Sequence, residues 1–232
     1  MTLPTLNTNK YTLELPSTKK KIEYRPFLVK EEKLLLIAQE SDDQLEIVQV
    51  IKDIIDACTF GKLKVDELQT YDIEYIFIKL RIKSVDQNAD IMTECPHCRA
   101  ATPVSIDLEA VEVKFPEEEV SQTIMLSDDG VGITLKNLSL SETANISDDS
   151  DFNDVIAAII DTIFDKDNVY AKTDSTKEEL NTFIDSFSRK NVEAIEHYIS
   201  SQPTIKYESK GTCSSCSKEF DIKLSGLKDF FV

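Results

Sequence analysis

Apolar and polar residues alternate along the first part of the chain. This period of two predicts a β-hairpin over residues 11–24, because successive side chains of a strand point to opposite faces. The turn is expected at residues 16–19, where Pro16 opens a polar stretch, and Pro26 ends the second strand.

After the hairpin the apolar residues recur at helical spacing. Helices are predicted at residues 30–39, 43–58 and 72–83. Asp42 or Asp43 is the expected N-cap of the second helix, and Thr70 or Asp72 is the expected N-cap of the third. Gly61 is expected to stop the second helix.

The period of two returns in two segments of similar pattern, at residues 91–108 and 206–224. In each segment a strand leads into Cys-x-x-Cys, a few polar residues follow, and a second alternating strand leads out. Each segment therefore predicts a hairpin whose tip is a two-cysteine knuckle. The cysteine pairs are Cys95 with Cys98, and Cys213 with Cys216.

A long stretch separates the two knuckles. Short strands are predicted at residues 123–126 and 133–135, around a turn. A helical block then covers residues 141–203, and its first apolar stripe, at residues 152–163, has helical spacing. Ser175 and Glu178 form a predicted capping box for the next helix. A last helix carries apolar residues over 192–199.

These elements predict an α+β fold. It comprises an N-terminal β-hairpin with helices, and a split zinc ribbon of two Cys-x-x-Cys hairpins with an inserted helical block. The expected division is residues 1–88 for the N-terminal region, residues 89–140 with 204–232 for the ribbon, and residues 141–203 for the inserted block. A chain of 232 residues is long enough to bury a substantial core in such an arrangement.

The two cysteine pairs predict one structural metal site. Each hairpin tip supplies half of a tetrahedron of thiolates, and two tips supply a closed four-cysteine zinc site with no open coordination position. More than a hundred residues separate the pairs, far more than in a compact ribbon, so the hairpins must meet in space. The predicted ligands of a single Zn²⁺ are Cys95, Cys98, Cys213 and Cys216.

Other interpretations of these cysteines remain open at this stage. Two disulfides, iron in place of zinc, or unbound thiols would use the same residues, and His97 could replace one cysteine as a ligand. A redox function is disfavoured because the two pairs lie outside a βαβ pattern. Cys58 continues the apolar face of its predicted helix and is expected to be a buried thiol.

Charge and composition exclude several classes of function. The net charge of −17 opposes binding to nucleic acid and to anionic membranes, and the Lys19–Lys20–Lys21 run suits a hairpin turn. No apolar run is long enough to span a membrane, and the first residues lack a signal-peptide pattern, so a reducing cytoplasm is expected. We find no glycine-rich phosphate loop and no catalytic constellation, which predicts a protein that is not an enzyme.

Two stretches of the sequence resemble a known family. Residues 15–35, with the run Ile22-Glu23-Tyr24-Arg25-Pro26-Phe27-Leu28, and residues 71–85 before the first knuckle are similar to the T4-type bacteriophage baseplate hub assembly proteins. The similarity is looser through the helical block and returns at the second knuckle.

The resemblance implies a role in tail assembly and a class of partner. Family members act in the infected host cell to build the central hub of a contractile-tail baseplate, so the expected partners are other hub and tail proteins. The expected location is the host cytoplasm during assembly or the virion baseplate. Small molecules, nucleic acid and membranes are not expected partners. The partner surface is predicted at two places, with these residues: Tyr24, Arg25, Phe27, Leu28, Phe230 and Phe231.

Two other functions remain as alternatives. Many four-cysteine ribbons bind nucleic acid or belong to transcription proteins, and that function would require a basic knuckle face. The basic residues near the knuckles are only Arg99, Lys210 and Lys218. An enzyme would require a metal position that the thiolates leave open.

Overall fold

The structure is a computed structural model that describes residues 7–40, 43–118, 120–146 and 150–226. The described residues form these helices: α1 (Val29–Glu40), α2 (Gln44–Cys58), α3 (Thr70–Ser84), α4 (Leu140–Ala144), α5 (Phe152–Ile159), α6 (Lys177–Asp185) and α7 (Arg189–Ser200). They form these strands: β1 (Tyr11–Glu14), β2 (Lys21–Tyr24), β3 (Asn88–Glu94), β4 (Ala101–Asp107), β5 (Glu112–Lys114), β6 (Thr123–Met125), β7 (Gly132–Leu135), β8 (Ile160–Phe164), β9 (Val169–Ala171), β10 (Thr204–Thr212) and β11 (Glu219–Ser225).

The chain divides into two compact units. The first unit contains the chain up to Lys114 together with the chain from Thr204 onward, and the second contains Phe115–Pro203. In the structure, residues 115–140 therefore group with the inserted block, whereas the sequence grouped them with the knuckles. The N-terminal region and the knuckles, separate in the prediction, belong to one unit.

The first unit begins with the predicted hairpin. β1 and β2 pair antiparallel with Leu13 opposite Ile22, and both of these side chains are buried. Helices α1, α2 and α3 follow at the predicted places. The centre of this unit is formed by α2 and α3, whose fully buried side chains include Ile51, Ile54, Ile55, Ile73, Ile76 and Leu80.

The caps of α2 and α3 differ in how well the sequence predicted them. Asp43 caps α2 as predicted, because its side chain accepts hydrogen bonds from the backbone N–H of Leu45 and Glu46. The predicted cap of α3 is wrong: the N-cap is Gln69, and its side chain makes no capping hydrogen bond. Asp72 is instead fully buried and accepts hydrogen bonds from the backbone N–H and the hydroxyl of Ser17, which joins α3 to the hairpin turn.

Strands from both ends of the chain complete the first unit. β3 pairs with β4, and a three-stranded sheet has the order β11-β10-β5, all antiparallel. Thr204 lies opposite Lys114 in this sheet. The chain leaves the first unit after Lys114 and returns at Thr204, so neighbouring strands already hold the two ends of the second unit together.

The second unit contains a four-stranded antiparallel sheet with the order β6-β7-β8-β9. The predicted strands near residues 123–126 and 133–135 are confirmed as β6 and β7. The prediction of one helical stripe over residues 152–163 is wrong after Ile159, where α5 ends and β8 begins. A buried core forms from both element types, with these members: Ile133, Leu135, Ile156, Ile159, Ile160, Ile184, Ile195 and Tyr198.

The capping box of α6 lies one residue later than predicted. Thr176, not Ser175, is the N-cap, and its hydroxyl accepts a hydrogen bond from the backbone N–H of Glu179 at 3.2 Å. The Glu179 carboxylate accepts the Thr176 backbone N–H in return at 2.8 Å.

Candidate metal centre

The first knuckle joins β3 to β4. The backbone N–H of Arg99 donates to the carbonyl of Cys95 at 2.8 Å, and the backbone N–H of Cys95 donates to the carbonyl of Ala100 at 3.0 Å. Arg99 has a φ of 59°, in the left-handed region, which lets the chain reverse directly after Cys98. The turn therefore presents both cysteines of the pair at the tip of the hairpin.

The second knuckle has the same backbone geometry. The N–H of Ser217 donates to the carbonyl of Cys213 at 2.9 Å, and the N–H of Cys213 donates to the carbonyl of Lys218 at 2.9 Å. Ser217, like Arg99, has a φ of 59°. The repeat predicted from the sequence is thus a repeat of hydrogen bonds and backbone angles as well as of cysteines.

The two tips meet, and their four sulfur atoms lie within 4.8 Å of one another. Two sulfur–sulfur contacts join one knuckle to the other. Cys95 Sγ is 3.8 Å from Cys216 Sγ, and Cys98 Sγ is 3.6 Å from Cys213 Sγ. A tetrahedron with metal–sulfur bonds of about 2.3 Å has sulfur–sulfur edges of about 3.8 Å. The donor set therefore fits a metal ion that prefers four thiolates.

The distances do not fit disulfides. Bonded sulfur atoms lie about 2.05 Å apart, and all four of these cysteines are free thiols in the structure. Cys95 and Cys213, the first cysteine of each pair, are buried, whereas Cys98 is exposed and Cys216 is partly exposed. The cluster is consequently dry on one side and reachable from solvent on the other.

Hydrogen bonds make one of the four thiols acidic. The Thr102 hydroxyl lies 3.5 Å from Cys213 Sγ, and the backbone N–H groups of Ser215 and Cys216 point to the same sulfur at 3.4 and 3.5 Å. The Thr102 bond and these N–H groups lower the pKa of Cys213 to about 5. Thr102 could not be predicted from the sequence, since a threonine in an alternating strand carries no signal of a sulfur contact.

The neighbouring thiol behaves in the opposite way. A backbone hydrogen bond at Ala100 favours the Cys98 thiolate, but desolvation of its sulfur and hydrogen bonds with the three other cysteines outweigh it and raise the pKa of Cys98 to about 12. Four adjacent sulfurs cannot all ionise without a compensating positive charge. A cation at their centre would supply that charge.

His97 does not belong to the sulfur cluster. Its Nε2 lies 3.2 Å from the backbone carbonyl oxygen of Glu219, and it is not among the residues whose ligand atoms converge. The ring therefore joins the first knuckle to the start of β11. This contact gives His97 a structural role beside the cysteines.

The residues predicted to bind a partner occupy different environments. Tyr24 and Phe27 are buried in the core of the first unit, and burial raises the pKa of Tyr24 to about 12. Arg25 pairs with the buried Glu31 at 2.9 Å. Leu28 alone of the four has an exposed side chain, and Phe230 and Phe231 lie outside the described residues. Partner binding by these residues stays a prediction.

Cys58 lies where the sequence placed it, on the buried face of α2. It is fully buried, and burial raises the pKa of its thiol to about 11. Arg25 Nη1 is 3.6 Å from its sulfur. Cys58 is far from ionising at neutral pH and does not join the cluster of four.

Fold and site together define a protein of mixed helices and antiparallel strands in which two hairpin knuckles, distant in sequence, form one four-cysteine centre. The chain belongs to the family described as T4 bacteriophage base plate protein, whose family model matches residues 8–232. No curated protein and no solved structure matched the chain. Among the described residues, no helix has both the length and the apolar composition needed to cross a bilayer.

Proposed function

We propose that this chain is a non-enzymatic assembly protein that helps to build the central hub of a contractile-tail baseplate. The observation that carries the proposal is the family match over residues 8–232, nearly the whole chain. The similarity of residues 15–35 and 71–85 to hub assembly proteins supports the hub in particular. The partners are other baseplate hub and tail proteins, and the chain acts by binding them rather than by catalysis.

We also propose that the four-cysteine cluster binds one structural Zn²⁺. The support is geometric: four sulfurs within 4.8 Å, on two knuckles of identical backbone geometry, with no other ligand atom converging among the described residues. Four thiolates fill the coordination sphere of zinc, so the ion contributes folding energy and no open position for catalysis. Structural zinc can contribute on the order of 10 kcal/mol to folding.

The position of the cluster decides what the zinc stabilises. All four cysteines belong to the first unit, and β5 paired with β10 already joins the two ends of the second unit. Loss of the metal should therefore loosen β3–β4 and β10–β11 and spare the core of the second unit.

The assembly role is tested in infected cells. A tagged chain is recovered from lysate, and its complexes are compared by mass spectrometry with purified virions of the same phage. Hub and tail proteins should be recovered in the lysate complexes, and the amount in the virion distinguishes a component from an assembly factor. Absence of the chain from every hub and tail complex would contradict the proposal.

The zinc is tested by Cys213→Ser with Ser214→Ala as the matched control in the same knuckle. Cys213→Ser should lose most of its zinc and show faster amide exchange in β3–β4 and β10–β11, with β7–β8 still protected. Ser214→Ala, which changes an exposed side chain, should keep the metal and the protection. If Cys213→Ser keeps one zinc per chain and unchanged exchange, the four-cysteine site is wrong.

A further inference from the structure

Helix α1 has its apolar side chains on the outside. The residues it turns inward include Glu31 and Ala38, which are buried, and Leu35, which is partly buried. Most of its large apolar residues face solvent, with these exposed fractions: Val29 64%, Leu34 50%, Leu36 54% and Ile37 59%. A contiguous exposed apolar area of this kind marks an interaction site more often than a free surface.

The exposed residues form two neighbouring rows along the helix. Val29, Lys33 and Leu36 follow one another at helical spacing, and so do Lys30, Leu34 and Ile37 in the adjacent row. We call these six residues the α1 outer face. Leu28, the residue directly before the helix, is also exposed.

Buried bonds fix which way α1 faces. The Glu31 carboxylate pairs with Arg25 at 2.9 Å through one oxygen and accepts the Leu28 backbone N–H at 2.8 Å through the other. Glu31 lies at the N-terminal end of the buried side of α1, and Ala38 lies two turns further along it. Turning the helix to bury its leucines would expose Ala38 and break the bonds of Glu31. The apolar outer face is therefore built into the fold.

The charges on this face indicate the chemistry of its partner. The outer face carries two cations, Lys30 and Lys33, on a chain whose net charge is −17. Their flexible stems can lie along apolar neighbours while the ammonium groups reach a partner's carboxylates. Lys30 also contacts Glu31 at 3.3 Å, and Lys33 has no ion-pair partner among the described residues.

The dimensions favour a single helix as the occupant. A helix of 12 residues is about 18 Å long, which suits one amphipathic helix laid along it. An area of this length and one helix wide is smaller than the roughly 800 Å² per partner of a standard protein interface. A second copy of this chain would bring a further charge of −17, which opposes self-association.

We propose that the α1 outer face binds an amphipathic helix of another baseplate protein, whose apolar stripe is bordered by Asp or Glu. Its apolar side chains pack on Leu34, Leu36 and Ile37, and its carboxylates meet Lys30 and Lys33. The inference rests on the proposed function, because that function supplies the class of partner.

A synthetic peptide tests the surface without knowledge of the natural partner. The probe is an amphipathic helix of about four turns with a leucine stripe bordered by glutamates, compared with the same peptide bordered by lysines, in fluorescence anisotropy with the full chain. The glutamate peptide should bind about tenfold more tightly at low salt, equivalent to about 1.4 kcal/mol. The Lys30→Glu, Lys33→Glu chain should reverse the preference. Equal binding of both peptides, or no binding, would overturn the proposal.

The natural partner is tested with a variant that changes only exposed residues. Leu36→Ser with Ile37→Ser should lose at least one hub or tail protein that the parent chain recovers from infected cells, and the matched control Met92→Ser, also an exposed apolar residue, should lose none. If the parent recovers hub proteins and the α1 variant recovers all of them, the surface is wrong and the proposed function stands. If the parent chain recovers no hub or tail protein, the proposed function fails, and the α1 outer face is then accepted or rejected on the peptide binding alone.

Self-association is checked on the same proteins by sedimentation. The parent chain should remain monomeric at concentrations that saturate the peptide. A dimer that Leu36→Ser with Ile37→Ser abolishes would show that the occupant is a second copy, which contradicts the proposal.

Discussion

The Arg25–Glu31 pair gives the clearest energetic prediction for the first unit. Replacing Glu31 with Gln removes a charge whose side chain is only 4% exposed and leaves Arg25, at 12% exposure, without its counter-charge. Breaking a buried pair by removing one partner costs about 3–5 kcal/mol. Glutamine keeps only one acceptor oxygen, which can serve Arg25 or the Leu28 N–H, and its NH2 group would face the other donor, so we expect a loss within that range.

Glu109→Gln is the matched control, because Glu109 also has two cationic neighbours. Lys79 and Lys83 lie 3.0 and 3.3 Å from its carboxylate, but its side chain is 41% exposed. Solvent screening reduces such pairs to below about 1 kcal/mol. The two substitutions remove the same charge at sites that differ mainly in burial.

The pair should also make stability depend on pH. Burial raises the pKa of Glu31, but bonds from Arg25, the Leu28 N–H and Lys30 outweigh it and hold the pKa below the usual 4.5. A lowered folded pKa means that the contribution is complete above about pH 4.5 and is lost as the pH falls through the folded value. The difference in stability between the parent chain and Glu31→Gln should therefore be constant near neutrality and shrink below pH 4.5.

Urea unfolding at several pH values measures the loss of stability and its dependence on pH, and amide exchange in α1 and α2 shows where the loss occurs. The expected order is parent, then Glu109→Gln, then Glu31→Gln with a clearly lower midpoint. If Glu31→Gln loses no more stability than Glu109→Gln, or if its deficit grows as the pH falls, the argument that buried bonds orient α1 is refuted.

Two further predictions concern the second unit. Gly132→Ala should lower the free energy of unfolding by about 1–3 kcal/mol through overpacking. A Cβ at this position would collide with the Phe164 ring and lie 2.9 Å from the Ile124 carbonyl oxygen, which is fixed in β6. A thermal melt unchanged from the parent would refute this. Ser139→Ala should lower the free energy of unfolding by about 1 kcal/mol, because the Ser139 hydroxyl and the Glu142 carboxylate cap α4 reciprocally. The expected result is faster exchange of the Glu142 amide, and unchanged exchange would contradict it.

The knuckles could be predicted from the sequence because their signal is local and repeated. Cys-x-x-Cys between alternating strands fixes both the hairpin and the direction of the thiols. The convergence of the pairs followed only by inference, since a four-thiolate site needs both. Thr102 carried no such pattern, and its contact with Cys213 depends on how the two hairpins face each other.

The errors have a common physical cause. Apolar residues at 159, 160 and 163 satisfy helical spacing, but β-branched Ile160, Thr162 and Ile163 also suit a strand, and pairing of β8 with β7 and β9 decides the outcome. Ser175 and Thr176 both precede a glutamate by three residues, so the sequence could not choose between the two capping boxes.

The outer face of α1 could not be predicted from the sequence for a similar reason. Leu34, Leu35, Leu36 and Ile37 are consecutive, and a run of four apolar residues has no period from which to assign a face. The buried bonds of Glu31 choose the face, and they involve Arg25 and Leu28 from before the helix. A charge pair of this kind is visible only when the fold brings its members together.

The four-cysteine centre is tested most directly by metal analysis with X-ray absorption on the purified full chain. The prediction is one zinc per chain, surrounded by four sulfur atoms at about 2.3 Å. A chain without metal, or zinc bound by nitrogen or oxygen in place of any of the sulfurs of Cys95, Cys98, Cys213 and Cys216, would contradict it.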